Sequence, residues 1–310
     1  MLARVAESLY WIGRNVERCE HCSRYMKVQF FSTLEAPMSQ NKDFTMRSIL
    51  FMSGAVYQSQ TNLDESEVWQ KVIFDPNNPN SLLNLVRNAR ENARGIRNTI
   101  SDEFWKAINQ WYLETQGLKP EKFSSDNIFL FAEMMHRHIV LVKSRLHHTF
   151  LHDDAWSFIS LGLYVERVLQ ILRIIRSKIS DSIILSDNGV NRPILQYQWT
   201  TLLMCLEGFD IYKKKYPGAR SRRAIFELLL NNSAFPRSLK YTSLKLKKHL
   251  SAISVHPEGH QALKDEFDRI VAECLDFDEP ENEEEVIQLV DNAYNYISKF
   301  HFDIEQLYFQ

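Results

Sequence analysis

The chain has 310 residues, of which 45% are apolar and 25% are charged, and these proportions are typical of a soluble globular protein. A folded chain of this length buries roughly 75% of the surface that its unfolded form exposes, so its stability requires neither disulfides nor a structural metal. The 37 basic residues nearly balance the 39 acidic ones, and the net charge of −2 argues against nucleic acid as a partner. Nine Gly and nine Pro are few for a turn-rich fold, which favours a mostly helical chain.

Apolar residues recur with the 3.6-residue period of an α-helix, and no segment alternates as a strand does. The predicted fold class is therefore all-α, a bundle of many helices. The periodicity predicts helices at 2–30, 43–60, 80–100, 102–116, 126–151, 153–179, 193–215, 219–231, 235–251, 258–275 and 284–308. Turn-forming residues predict breaks at 75–79, 186–189, 216–218 and 276–285, and Asp153 is a suitable N-cap for the helix that follows it.

The sequence shows no sign of export or of a membrane span. Charged residues enter at Arg4 and Glu7, before any apolar segment of the kind that a secretory signal needs. The apolar runs fall far short of the ~20 residues of a membrane helix. Four Cys are too few for a disulfide framework, so we expect a cytoplasmic protein. The final residues, EQLYFQ at 305–310, resemble a cleaved tobacco etch virus protease site, and a native ending and a tag remnant both fit them.

Two parts of the sequence share an ordered set of residues. The first set is Ser8, Gly13, Val16, Glu17, Arg18 and Arg24; 149 residues later stand Ser157, Gly162, Val165, Glu166, Arg167 and Arg173. The tetrapeptide PNSL at 79–82 is similarly echoed by PRSL at 236–239. We therefore predict two tandem, pseudo-symmetric helical repeats, 1–151 and 152–310, within a single domain that spans 1–310.

The repeated helix carries charges that need partners. A helix advances about 100° per residue, so in the first copy one broad arc holds Glu7, Tyr10, Arg14, Glu17, His21 and Arg24. The second copy is apolar nearly all round and is expected to be buried, yet it keeps Glu166, Arg167 and Arg173. An unpaired buried ion costs several kcal/mol, so these groups need opposite charges or a ligand.

Two interpretations of these charges stay open. In the first, the two helices cross near a pseudo-twofold axis, Gly13 and Gly162 allow close approach, and Glu of one helix pairs with Arg of the other. In the second, the charges form a ligand site. Its anion-binding residues would be Arg14, Arg18, Arg24, Arg167 and Arg173, and its candidate catalytic groups Glu17, Glu166 and Glu7.

A second cluster of charges lies in the segment that runs from residue 85 to 103. Arg87, Arg90, Arg94 and Arg97 are spaced 3, 4 and 3, which stacks four guanidinium groups along one helical face. Such a stripe can grip carboxylates or phosphates in a bidentate manner. It can equally be a solvated face, because Glu91 is placed to neutralise Arg87 or Arg94. A third basic cluster is formed by residues 213–215 with Arg220, Arg222 and Arg223. It is expected to be a solvent-exposed turn without a binding role.

Metal and nucleotide chemistry find little support in the sequence. Glu133 and His136 form an ExxH pair, and His152 follows nearby, so these three are weak candidates for metal ligands. A carboxylate-bridged di-iron centre needs a second such pair, and the second repeat has none. The Cys19-x-x-Cys22 pair lacks the second pair that a zinc site requires and is expected to be buried. No phosphate-binding loop or nucleophile motif is present, so no cofactor is predicted.

The opening residues MLARVAESLYWIGRNVERCEHCSR resemble the start of the alpha-E family, a helical bacterial domain of long-unknown function. RENAR at 90–94, EFW at 103–105, DDAW at 153–156 leading to Gly162 and Glu166-Arg167, and PRSL at 236–239 are also similar to motifs of that family. The resemblance spans the full chain. It implies that the glutamates at the matching positions matter, and these are Glu7, Glu17, Glu91 and Glu166.

The resemblance also implies a setting. Domains of this family are typically encoded beside, or fused to, a circularly permuted ATP-grasp ligase and a transglutaminase-like peptidase, which points to peptide or amide-bond metabolism. The first hypothesis is therefore an accessory or substrate-binding component that binds an anionic peptide or amino-acid ligand through a Glu/Arg groove. The alternative is a stand-alone enzyme that uses a buried Glu as an acid or base at the repeat interface.

Overall fold

The computed structural model describes residues 1–35, 42–54, 63–187, 192–218, 221–255, 257–274 and 283–310. These residues form α-helices joined by short 3₁₀ and π-helical turns and contain no strand, which confirms the all-α class. The α-helices are α1 (Ala3–Glu35), α2 (Lys42–Ser53), α3 (Glu65–Trp69), α4 (Leu82–Gly95), α5 (Asp102–Gln116), α6 (Ile128–Thr149), α7 (Asp154–Asp187), α8 (Arg192–Cys205), α9 (Phe209–Lys215), α10 (Arg222–Phe226), α11 (Leu239–Ala252), α12 (His260–Cys274) and α13 (Glu283–Tyr308).

The chain divides into two compact units. The first unit is Ser8–Gly162, and the second unit is Met1–Glu7 with Leu163–Gln310. In the first unit α4 packs against α5 and α5 against α6, and in the second unit α11 packs against α12 and α12 against α13. Each unit also contains most of one long helix, α1 in the first and α7 in the second.

Most predicted helices have counterparts, and one differs for a clear reason. The predicted helix at 193–215 is two helices, α8 and α9, because the backbone turns at Glu207, whose φ is 54°. The next residue, Gly208, lies against the Phe235 ring, where an added Cβ would stand 3.3 Å from the nearest ring carbon. Some positions of the predicted helices and breaks lie outside the described residues. They are 55–60, 188–189, 219–220 (which includes Arg220) and 275–282.

Two segments of the chain share one local conformation. α3 continues into a π-helical turn at Gln70–Phe74 and, after a tight turn, α4 begins; α10, a π-helical turn at Glu227–Asn231 and α11 follow the same order. The turns are closed alike, since Asp75 accepts a hydrogen bond from the backbone of Asn77, and Asn232 accepts one from that of Ala234, both at 2.9 Å. The sequence did not predict α3 or either π-helical turn.

The start of α7 crosses α1 at very short range within the first unit. A Cβ added to Gly162 would lie 2.0 Å from the carbonyl oxygen of Tyr10 and 3.2 Å from the backbone nitrogen of Arg14. Only a residue without a side chain allows this approach, as the sequence analysis expected of this glycine. Asp153 caps the helix, as predicted, by accepting hydrogen bonds from the backbones of Ala155 at 3.0 Å and Trp156 at 3.3 Å.

Candidate functional site

A line of buried polar residues runs along α1 and meets one lysine of α6. Glu17 and His21 have no exposed surface and Glu20 is 6% exposed. Lys143 of α6 donates to Glu17 Oε2 at 2.5 Å and also to Glu20 Oε2. His21 Nε2 lies 3.2 Å from Glu17 Oε1, and Arg24 donates to Glu20 Oε1 at 2.6 Å. We call these five residues the α1–α6 charge network.

The charge network is electrically balanced when its histidine is neutral, because two carboxylates face one ammonium and one guanidinium group. Its most exposed side chain is Lys143, at 20%, and Arg24 follows at 10%, so the network reaches the surface through these two cations. Buried carboxylates are stable only with such partners. In this arrangement Glu17 and Glu20 hold α1 against α6, and no carboxylate oxygen of Glu17 faces solvent.

The other α1 arginines proposed as ligand-binding residues also have protein partners. Arg14 is 3% exposed, donates to the Tyr10 hydroxyl at 3.0 Å and lies 5.3 Å from the centroid of the Trp11 ring. Arg18 donates to Asn80 Oδ1 at 2.6 Å, and so fixes the turn before α4. Glu7 stands apart from this group, since it is exposed on the first part of α1 and belongs to the second unit.

In the second unit, Glu166 and its neighbours on α7 are arranged in a parallel way. Glu166 has no exposed surface and accepts a hydrogen bond from Gln170 Nε2 at 2.6 Å. Arg167 lies 5.0 Å from the Tyr164 ring centroid and reaches the carbonyl oxygen of Pro236 at 3.5 Å. The burial expected of this helix is therefore confirmed at Glu166.

The far half of α7 pairs with α13. Arg173 donates to the Tyr294 hydroxyl at 2.6 Å, with its guanidinium carbon 5.3 Å from the ring centroid. Arg176 donates to Asp291 at 2.5 Å. A similar ion pair joins α1 to α6 in the first unit, between Lys27 and Glu133. The predicted pairing of Glu from one repeat with Arg from the other stays a prediction.

The arginine stripe begins on α4 and meets two aromatic rings of α5. The helix predicted over 80–100 ends at Gly95, so Arg97 lies in the turn that follows it and the prediction of four arginines on one helix is wrong at that residue. Arg90 donates to Asn109 Oδ1 at 3.2 Å, and its guanidinium carbon lies 5.1 Å from the Tyr112 ring and 5.5 Å from the Trp105 ring. Arg97 lies 5.0 Å from the same Trp105 ring. Both arginines are thus oriented by cation–π contacts, which leave the N–H edges of a guanidinium group available for hydrogen bonds.

The remaining charges of this stripe are exposed. Glu91 pairs with Arg90 and, at 2.9 Å, with Arg94, whose side chain is 61% exposed. Arg97 is 3.8 Å from Asp102, a long contact between two exposed groups. Arg87 is exposed, and no contact with another side chain is recorded for it among the described residues. We call the set Arg87, Arg90, Arg94, Arg97, Trp105 and Tyr112 the Arg–aromatic surface.

The proposed metal ligands do not come together. Glu133 binds Lys27, and this hydrogen bond lowers the pKa of the Glu133 carboxyl. His136 is exposed, whereas His152 stacks on Trp156 with the ring centroids 4.0 Å apart. The described part of the chain contains no group of three or more His, Cys, Asp or Glu side chains placed to hold a metal ion.

Sequence reasoning missed two residues of the charge network, Glu20 and Lys143, and both rings of the Arg–aromatic surface. Lys143 lies 126 residues from Glu17 in the chain, and no local spacing links the two. Trp105 and Tyr112 lie on the helix after the arginines, so only the packing of α4 on α5 reveals the contact. Gln170, in contrast, stands four residues after Glu166, a spacing that places both on one helical face.

The features described so far define an all-helical protein with a Glu-Arg dipeptide on each of its two long helices, at 17–18 and 166–167, and in both the glutamate is buried. The chain belongs to the Alpha-E family, which is described as a predicted alpha-helical domain with a conserved ER motif; the family model matches residues 1–309. This confirms the resemblance noted in the sequence.

Curated relatives come from mycobacteria. An uncharacterized protein of Mycobacterium bovis is 24% identical over 269 residues, a match that covers 80% of this chain and 29% of the relative. An uncharacterized protein of Mycobacterium tuberculosis strain H37Rv is 23% identical over 269 residues, and this match also covers 80% of this chain and 29% of the relative. The chain thus spans less than a third of the length of these relatives. No solved structure matches the chain. None of the helices in the described ranges combines the length and apolar composition that crossing a membrane requires.

Proposed function

We propose that this protein is the accessory, substrate-binding component of a peptide- or amide-bond-forming system, and that its Arg–aromatic surface binds an anionic peptide or amino-acid ligand. One observation carries the proposal: Arg87, Arg90 and Arg94 lie on one face of α4, Arg97 follows in the turn after it, and the Trp105 ring orients Arg90 and Arg97. A planar guanidinium group matches a carboxylate in a bidentate manner. Arg, Trp and Tyr are also the residue types that contribute most to binding energy at interfaces.

The arginines of the two long helices have another role in this proposal. Arg14, Arg18 and Arg173 are held by Tyr10, Asn80 and Tyr294 in turn, so they fix helices rather than face a ligand. Binding is favoured over catalysis by Glu17 or Glu166, because a general acid or base has to reach its substrate and both side chains have no exposed surface.

The partners in this proposal are an ATP-grasp type ligase and a transglutaminase-like peptidase. They follow from the family resemblance, and the sequence itself contains no phosphate-binding loop motif. The length of the mycobacterial relatives supports a cooperative role, because a region similar to this chain there forms only 29% of a longer polypeptide. Such a region works beside other parts of the same protein.

Residues 1–151 and 152–310 are, in the same proposal, copies of one ancestral helical unit. Two observations support this duplication. The helix, π-helical turn and helix order recurs at the same spacing as the tetrapeptides PNSL and PRSL. The ion pair between Lys27 and Glu133, which joins a long helix to the last helix of its unit, also has a counterpart between Arg176 and Asp291.

A binding measurement tests the role of the Arg–aromatic surface. We expect fluorescently labelled hexaglutamate to bind the full chain in fluorescence anisotropy, with an affinity that falls as salt rises. Arg90→Ala should weaken binding about tenfold, because charge-assisted hydrogen bonds are lost. Arg90→Lys should restore only part of it, since lysine lacks the planar fork. Arg269→Ala, which removes an exposed arginine of α12 in the second unit, is the matched control and should bind as the parent does.

Two outcomes would contradict the proposal. If Arg90→Ala and Arg269→Ala lose the same affinity for hexaglutamate, the effect comes from net charge and not from the Arg–aromatic surface. If hexaglutamate shows no salt-sensitive binding, the proposal of an anionic peptide ligand is wrong. The accessory role has a separate test, in which the untagged chain is recovered from its own cells together with an ATP-grasp ligase. That co-purification should weaken when Arg90 is replaced and persist when Arg269 is replaced.

A further inference from the structure

A cavity of about 250 Å³ lies in the second unit, where α8, α9 and α10 meet. Its wall is mostly aromatic and aliphatic and includes Trp199, Leu203, Phe209, Tyr212 and Ile225. An apolar cavity of about 150 Å³ is already large enough to take up benzene. The space therefore fits one six-membered aromatic ring with a short substituent.

The break between α8 and α9 creates this space. At Glu207 the backbone has a φ of 54°, so α9 turns away from α8 instead of continuing along it. Tyr212 supports the opposite wall of the cavity. Its ring centroid lies 5.3 Å from that of Tyr216, and its hydroxyl accepts a hydrogen bond from the backbone of Ser221 at 3.1 Å. The cavity is thus bounded by packed side chains that have their own supports.

Two polar groups of the cavity lining are available to a ligand. The hydroxyl of Tyr216 is buried and has no hydrogen-bond partner among the described residues, although buried hydroxyls nearly always have one. Lys213 is exposed, and its ammonium nitrogen lies 4.1 Å from the centroid of the Phe209 ring. No carboxylate of the described residues forms an ion pair with it.

The surroundings of Lys213 are strongly basic. Two further lysines end α9, and Arg222 and Arg223 begin α10, whereas Asp210 is the one acidic residue of α9. One of these cations, Arg222, forms an ion pair with Glu283 at 2.9 Å. Lys213, the one cation of the cavity lining, therefore stands in a basic stretch of the chain, and its charge favours an anionic group on a ligand.

We propose that this cavity binds a small monoaryl carboxylate, in which one aromatic ring bears a carboxylate on a short aliphatic tether. The ring lies between Trp199 and Phe209, the carboxylate meets Lys213, and the Tyr216 hydroxyl donates a hydrogen bond to a ligand oxygen. The site uses no residue of the Arg–aromatic surface and lies in the other unit. The inference therefore stands or falls separately from the proposed function.

A series of small probes tests the ligand class on the full chain by isothermal titration calorimetry. We expect saturable one-to-one binding of 3-phenylpropionate. Its alcohol analogue, 3-phenylpropan-1-ol, keeps the ring without the charge and should bind about tenfold more weakly. Propionate keeps the charge without the ring and should show no saturable binding. No saturation with 3-phenylpropionate at millimolar concentration, or equal affinity for the alcohol, overturns the proposal.

Single variants test the two polar groups. Lys213→Gln should weaken 3-phenylpropionate about fivefold to tenfold and leave the alcohol unchanged, and Tyr216→Phe should weaken 3-phenylpropionate severalfold. Lys214→Gln is the matched control, because it makes the same charge change at the next exposed residue, which does not line the cavity. Equal losses in the two lysine variants, or no loss in Lys213→Gln, overturn the assignment. Circular dichroism melting verifies that each variant is folded.

Discussion

Replacing Lys143 with Met removes the cation that joins two buried carboxylates, and we expect it to destabilise the first unit by about 3 kcal/mol at pH 7. The lysine donates to both Glu17 and Glu20, whose side chains are 0% and 7% exposed. Without it, Glu17 keeps His21 and Glu20 keeps Arg24 within the charge network. Two desolvated carboxylates then face too little positive charge.

The magnitude follows from the burial of the partners. Removing one member of a buried ion pair costs about 3–5 kcal/mol, because the other member stays desolvated. The value for Lys143 belongs at the lower end, since its own side chain is 20% exposed and each carboxylate keeps a second partner. In a unit of 155 residues that unfolds cooperatively, 1 kcal/mol lowers the melting temperature by about 2–4 °C, so the expected loss is about 6–12 °C.

Circular dichroism during heating and urea unfolding measures this loss. Lys106→Met is the matched control, since Lys106 also pairs with a glutamate, Glu103, at 2.8 Å but is 67% exposed, and its replacement should change the melting temperature little. The double variant Lys143→Met with Glu17→Gln should lose less than the sum of the single losses. A melting temperature for Lys143→Met within about 2 °C of the parent, or additive losses, would refute the reasoning.

Two further predictions follow from the first unit. Gly162→Ala should destabilise it by about 3 kcal/mol or more, because the new Cβ would lie 2.0 Å from the backbone carbonyl oxygen of Tyr10. Urea unfolding measures this loss. Gly95→Ala is the control and should be tolerated, because its Cβ has no neighbour within 4 Å. The pKa of Glu133 is lowered by its hydrogen bond from Lys27, so that bond stabilises the fold above the ordinary glutamate pKa of 4.5 and ceases to do so as pH falls through the lowered value. Lys27→Met should therefore melt slightly below the parent at pH 7, and the difference should shrink as the pH falls below 4.5; a difference that does not depend on pH would contradict this assignment.

Local patterns predicted those elements that local forces determine. The bounds of α5 are those that the periodicity predicted, 102–116, because Ser101 caps its first turn and its apolar face is regular. The π-helical turns escaped notice since their residues do not repeat every 3.6 positions, and α3 contributes only five residues before the turn begins.

The candidate sites depend on contacts between residues far apart in the chain, and these were only half predictable. The charged arc of α1 identified Glu17 and His21, but periodicity carries no information about which lysine of α6 approaches them. The same holds for Trp105, which orients Arg90 and Arg97 from the neighbouring helix. Sequence spacing thus found the charges, and tertiary packing decides which of them are buried.

The division of the chain at Gly162 has a consequence for how the protein is made. The first unit begins at Ser8 and ends at Gly162, where the tight contact with Tyr10 closes it. During synthesis, this unit can complete its native contacts only after that glycine has left the ribosome, and the contact joins positions of very large sequence separation, which slows folding. Met1–Glu7 has to wait longer, because it belongs to one unit with Leu163–Gln310, which is translated after the whole of the first unit.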